Sequence, residues 1–220
     1  MNSMIPLYQV FDSLFPLGSY TFSGGMETYT QNGMIKDRQS LGDFLRGQGY
    51  LLPYGDIGIA AKVAQGEDFV LLDHLTAAMK GPEEIRSSSE KLCARLIKEV
   101  GRFASYPSLE DYRQAIKNLE CDGHYPVAVG LLIKDLQVDI VGALELYIYS
   151  MLSVMVNHAV KLVPLGQKDG QAELFAAMAK IPEMARTAMD ANVCDLGVSG
   201  CGFDLRAMQH ESLHGRLFSS

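Results

Sequence analysis

The chain has 220 residues, 48% hydrophobic and 20% charged, with a net charge of −7 and four cysteines. That is apolar material for one sizeable core, and the acidic balance argues against nucleic acid, whose binding needs clustered Lys and Arg to displace counterions. Cys93, Cys121, Cys194 and Cys201 are too sparse for a disulfide scaffold, so reduced thiols are expected.

No Pro/Ser/Gly-rich linker divides the sequence, which predicts a single domain over 1–220. The opening MNSMIPLYQVFDS lacks a basic segment followed by an apolar core and a cleavage site, so no secretory signal is expected and the cytoplasm is the expected compartment. Leu7, Val10, Phe11 and Leu14 recur at i, i+3, i+4 and i+7, predicting one apolar helical face before Pro16 ends it. Gly18 to Gly25 read as a loop, Met26–Gln31 as a short helix, and Asn32-Gly33 as its stop. Ser40 is placed to cap the next helix, with Asp43 favouring the helix dipole, and Pro53 suits the first turn of another helix running through Ala64.

Pro82 opens a helix to about Phe103, with Ile85, Leu92, Leu96 and Val100 on one side and Glu84, Arg86, Glu90, Lys91, Arg95 and Lys98 on a solvated side. Ser108 is expected to cap a helix to about Leu119. Gly123-His124-Tyr125-Pro126 separates that helix from the next. The segment Asp139–Val163 is the most apolar and reads as the central helix. Glu145 and Lys161 would be costly inside a bilayer, so burial in protein, with no membrane, is preferred. Pro164-Leu165-Gly166 breaks it, and a last helix runs from about Gln171 to Met189 with a kink expected at Pro182. No run alternates apolar and polar residues as a strand would, so the fold class is all-α, a compact multi-helix domain with a docking C-terminal tail over about 194–220.

The chemistry-bearing residues are few. Glycines 18, 24 and 25 have neither a preceding strand nor a GxxxxGK[ST] pattern, so a turn explains them better than a phosphate loop. There is no GxSxG elbow and no Cys/His pair in a catalytic context; no enzyme is expected. Cys194, Cys201, His210 and His214 include two histidines at i, i+4 that could grip a divalent ion, but the loose cysteine spacing favours ordinary thiols and imidazoles. His74, His124 and His158 read as structural or partner-facing. Methionine pairs such as Met151/Met155 read first as core filling.

Leu213, Leu217 and Phe218 are apolar where chain ends fray. Burying each is worth roughly 1.5–3 kcal/mol, so the tail should dock, either on its own domain or, the favoured reading, on a partner, with Arg206, Glu211 and Arg216 as a charged rim.

Four ordered blocks carry a resemblance that spans nearly the whole chain. They are Asp12-Ser13…Phe15-Pro16…Gly18 followed by Ser23-Gly24-Gly25-Met26-Glu27; Gly123-His124-Tyr125-Pro126-Val127; Val163-Pro164-Leu165-Gly166-Gln167 within VNHAVKLVPLGQ; and Met208-Gln209-His210-Glu211…Arg216-Leu217-Phe218-Ser219. In these the chain resembles the urease accessory protein F family. The resemblance implies an all-helical, homodimeric cytoplasmic adaptor with no catalytic residues and no cofactor or metal of its own, nickel and GTP being handled by its partners. It implies binding to accessory protein D (H in some systems), recruitment and gating of the GTPase accessory protein G, and docking on apo-urease for nickel insertion. It places Ser23, Gly24, Gly25 and Glu27 toward the GTPase or a dimer seam, with Lys161 and Gln167 nearby, and sets His210, Glu211, Arg216, Leu217 and Phe218 against accessory protein D.

Two departures stand out: Lys161 replaces the family's usual Arg and loses its bidentate fork, and Ser199-Gly200-Cys201-Gly202 stands where Pro is common. The rival readings are a helical scaffold or regulator unrelated to urease, and an enzyme whose site is assembled from scattered polar residues.

Overall fold

The computed structural model describes residues 3–198 and 200–219; Ser199, part of the second departure, and the tail's Ser220 lie outside the described residues. Among the described residues the chain is helical throughout, with no strand, as expected for an all-α fold. The helices are α1 (Ile5–Val10), α2 (Met26–Gln31), α3 (Arg38–Leu51), α4 (Asp56–Gln65), α5 (Phe69–Met79), α6 (Glu83–Val100), α7 (Pro107–Lys117), α8 (Tyr125–Leu136), α9 (Ile140–Leu162), α10 (Gln167–Met178), α11 (Ile181–Asp190) and α12 (Cys201–His210).

The core centres on α4 crossing α8. Ile57 through Ala64 are all buried, and so are nearly all residues of α8, because both helices are apolar on every side and are wrapped by others. Small residues let the two backbones meet: a Cβ at Gly130 would lie 2.6 Å from the Ala60 carbonyl oxygen. The buried Lys62 spends its charge on α11, donating to the Met189 carbonyl (2.7 Å), one of the acceptors a helix C-terminus leaves open. Helix α9 is long and apolar enough to cross a membrane by length and composition, but α2, α4, α10 and α11 pack on it and bury Leu144, Tyr147, Ile148, Leu152 and Val156.

Several local expectations are corrected by tertiary partners. Helix α1 ends at Val10, and Leu14 is 90% exposed rather than on its apolar face. Asp37, not Ser40, caps α3: its carboxylate accepts from the Ser40 N–H (2.9 Å) while the Ser40 hydroxyl lies 3.1 Å from the Asp37 N–H and accepts from it, a reciprocal box. Pro53 sits in a 3₁₀ turn, and α4 begins after Gly55. Ser108 caps nothing; its N–H and that of Leu109 donate to the Asp135 carboxylate of α8 (2.9 and 3.3 Å), so a neighbouring helix supplies the cap. Pro182 starts a separate helix instead of kinking one, as its fixed φ and missing N–H suit a first turn. Helix α5 was not anticipated.

A buried carboxylate on α5 sets the approach to α8. Asp73 accepts the Tyr112 hydroxyl of α7 and the backbone N–H groups of Asp122 (2.6 Å), Gly123 (3.3 Å) and His124 (3.0 Å). Multiple donors are what makes an ionised carboxyl tolerable away from water. Burial, reinforced by the negative field of Asp73, raises the thiols of Cys93 and Cys121, the latter to about 12, so neither is a nucleophile at neutral pH.

The α4–α8 crossing predicts that Gly130→Val overpacks the core. Urea unfolding should show a loss of about 1–3 kcal/mol. Gly47→Ala on the open face of α3, where an added Cβ meets nothing within 4 Å, should instead stabilise by up to about 1 kcal/mol.

Candidate functional site

The two unusual ends of the sequence meet. Helix α12 lies across α2, and Gly25 makes that possible: its φ is +83°, and a Cβ there would stand 3.0 Å from the Ala207 backbone. At the start of α12, Phe203 tilts against Tyr29 and Phe44, each at 6.4 Å between ring centroids.

Glu27 is 2% exposed and holds the tail. Its carboxylate accepts from the Leu217 N–H (2.7 Å), the Phe218 N–H (3.2 Å) and His210 Nε2 (3.2 Å). The other ring nitrogen of His210, Nδ1, meets Glu84 of α6 at 2.6 Å, and Glu84 also takes Arg216 at 2.6 Å. Glu27 and Glu84 thus occupy both nitrogens of a fully buried imidazole. Beyond this ion cluster Phe218 closes the tail. Its ring stands edge-on to His158 (4.6 Å), Lys161 lies over it at 6.0 Å, and the Ser219 N–H donates to the Thr21 carbonyl (2.9 Å).

Of the residues singled out from sequence, Glu27, His210, Arg216, Phe218 and Lys161 therefore converge. Ser23 and Gly25 are buried in the turn beneath them, and the Ser23 hydroxyl has no hydrogen-bond partner among the described residues. Gln167 sits apart at the exposed first position of α10, and Glu211 is exposed beyond the end of α12. His210 and Phe218 pack inward on their own domain, whereas Leu217 is 63% exposed, and Leu205 and Met208 of α12 are exposed as well. The set Cys194, Cys201, His210 and His214 is not assembled: His210 is engaged by Glu27 and Glu84, and His214 is exposed. Sequence reading missed Glu84, indistinguishable from its solvated neighbours on α6; His158, read as structural or partner-facing, is structural, and its partner Tyr20 is 138 positions away.

His158 carries the clearest electrostatic signature. Burial pulls its pKa down to about 4, with Lys161 pushing the same way, while its Nε2 donates to the Tyr20 carbonyl (3.1 Å). The folded pKa lies below the unfolded value, so the unfolded chain binds the extra proton. Stability is fully present above about pH 6.5 and is lost as pH falls toward 4.

The sequence model of the UreF family matches residues 35–178. Proteins named urease accessory protein UreF align along the full length. That of Actinobacillus pleuropneumoniae serotype 5b is 31% identical over 229 aligned residues and that of Bacillus sp. strain TB-90 31% over 231, each covering all of both chains. That of Arthrobacter sp. strain FB24 is 31% identical over 222 residues, covering 98% of this chain and 96% of its own. The 35–178 match excludes Glu27 and the tail, whereas the full-length alignments extend over them.

Glu27→Ala should release the tail rather than leave His210 buried beside an empty position, since stripping one partner from a buried pair costs about 3–5 kcal/mol. Hydrogen exchange should show protection lost over 201–219 and kept in α4 and α8; unchanged tail protection would contradict the geometry. Separately, thermal melts from pH 7 to pH 4 should show a destabilisation on the order of 3 kcal/mol attributable to His158. His158→Gln should flatten that part of the profile.

Proposed function

The chain belongs to the UreF family of urease accessory proteins, and from that premise we propose that it works as a non-catalytic adaptor in urease maturation, in the cytoplasm and as a homodimer. In this reading it binds accessory protein D (H in some systems) through the outward face of its tail. The pair recruits the GTPase accessory protein G and gates its hydrolysis while nickel is delivered to apo-urease. Nickel and GTP are handled by the partners, and the chain needs no cofactor of its own.

The observation that carries the reading is the alignment, from end to end, with relatives named urease accessory protein UreF. The tail supports it physically. An apolar terminus pinned from beneath by Glu27, Glu84 and His158 presents Leu217, Leu205 and Met208 to solvent on a fixed backbone. A preordered apolar surface loses little conformational entropy on association, which is what a docking surface requires. Arg216, tied to Glu84, and Glu211 give that surface a charged rim. Lys161, exposed over Phe218, with Gln167 further along, provides polar groups for the GTPase.

The test mixes the full-length chain with accessory proteins D and G and follows complex formation by size-exclusion chromatography and calorimetry. Leu217→Asp should leave the melting temperature unchanged and weaken binding to accessory protein D at least about ten-fold, because it sets a charge in an apolar contact. Undiminished binding by this variant, and by a chain lacking the last twelve residues, would refute the assignment.

A further inference from the structure

Away from the tail, a second cluster of ligating groups lies where α5, α7 and the entry to α8 meet. One carboxylate oxygen each of Asp73 and Asp122 and one ring nitrogen of His124 lie within 4.8 Å of one another. Acidic neighbours alone would mean little. The decisive observation is His124: its side chain is 0% exposed, and neither ring nitrogen has a hydrogen-bond partner among the described residues. Buried imidazoles are ordinarily paired, and one left with both nitrogens open calls for a bound species. Burial lowers its pKa against the pull of the nearby Asp73 carboxylate. A neutral imidazole has a lone pair to offer a metal.

Asp73 retains capacity to ligate. Its Oδ1 is taken by the Tyr112 hydroxyl and the His124 N–H (3.0 Å), but Oδ2 has one close donor, the Asp122 N–H at 2.6 Å, and a long one from Gly123 at 3.4 Å. The backbone N–H groups of Asp122 and His124 donate to Asp73, so the turn that carries two of the ligands is tied to the third on α5. Gly123 has φ +96° and sits against Ile116, with 3.0 Å between its Cβ position and that side chain. Access comes from outside: Asp122 is exposed and, with Gly123, lines a cleft of ≈ 350 Å³ between α6 and α7 whose walls include Glu90 and Cys93. Lys98 and Arg113 share that lining with Glu90, whose carboxyl is pushed up by burial first and by the charge of Asp122 next, so the acidic groups sit at the end of the cleft nearest the cluster's Asp122.

We propose that Asp73, Asp122 and His124 form a binding site for a divalent transition-metal cation, loaded through the α6–α7 cleft. Two carboxylates and an imidazole are a mixed O/N donor set, which suits Zn²⁺, Ni²⁺ or Co²⁺ and discriminates against Mg²⁺ and Ca²⁺ through the nitrogen ligand. The site is distinct from the tail and does not depend on the adaptor reading.

The test is calorimetric titration of the chelator-stripped full-length protein with Ni²⁺ and with Zn²⁺, and absorption spectroscopy with Co²⁺ as a visible probe. Wild-type protein should bind one equivalent per chain. Asp122→Asn, at an exposed position and so without consequence for folding, should weaken binding at least about ten-fold, and His124→Gln should abolish the Co²⁺ ligand-field bands. His214→Gln should change neither, and excess Mg²⁺ should not compete. Absence of binding, or binding untouched by Asp122→Asn and His124→Gln but lost in a Cys194→Ser/Cys201→Ser/His214→Gln variant, would overturn the proposal. Because Asp122→Asn leaves Leu217 and the tail intact, complex formation with accessory protein D should persist in that variant, so the two readings fail independently.

Discussion

A carboxylate sealed away from water needs donors, and the region where the chain's ends meet is organised around that need at Glu27. Its oxygens take two backbone N–H groups of the tail and one nitrogen of His210, while Glu84 takes the other nitrogen and Arg216. The buried pair, Glu27 and His210, is acceptable in the interior only because the partners of each are present. The consequence is all-or-none behaviour: removing a member makes burial of the others unfavourable, so the tail leaves as a unit. Apolar packing by Phe218 and Phe203 supplies attraction, but the ion cluster sets register, since hydrogen bonds to Leu217 and Phe218 accept only one placement of the backbone.

The same device recurs at Asp73, where a carboxylate on α5 gathers the Asp122–His124 turn and starts α8 in the right direction. In both places a short irregular segment, too polar in its backbone to be buried unaided, is drawn in by a helix-borne acid. The helices themselves are held differently, by apolar area and by glycine and alanine at the α4–α8 crossing. One fold thus has two kinds of joint, a general apolar one between helices and a specific ionic one wherever the chain must turn or end.

That division bears on how an accessory protein in urease maturation would work. A docking surface must be presented in one geometry and yet stay exposed, which a purely apolar terminus cannot do, because it would bury the side chains a partner needs. Pinning the tail through its backbone and through His210 leaves Leu217, Leu205 and Met208 outward. His158, kept neutral by burial beneath Phe218, makes the same attachment sensitive to acid.

Helical class was legible from the sequence because apolar spacing at three and four residues is a local property, and the ends of α2 and α9 were readable from Asn32-Gly33 and Pro164 for the same reason. So were the particular residues of the two terminal blocks, Glu27, His210 and Phe218 among them, through their resemblance to a family. What the sequence could not contain was their direction. Glu27 and His210 are separated by 183 positions, and whether they meet each other or a partner depends on the approach of α12 to α2 that Gly25 permits. Caps followed the same rule. Ser40's neighbourhood was misread by three residues within one helix, whereas the Asp135 cap on α7 was beyond reach, since its donor and acceptor come together only when α7 packs on α8. Periodicity is written in the chain; the pairing of buried charges is decided by three-dimensional proximity, because only there does the energy of leaving one unpaired arise.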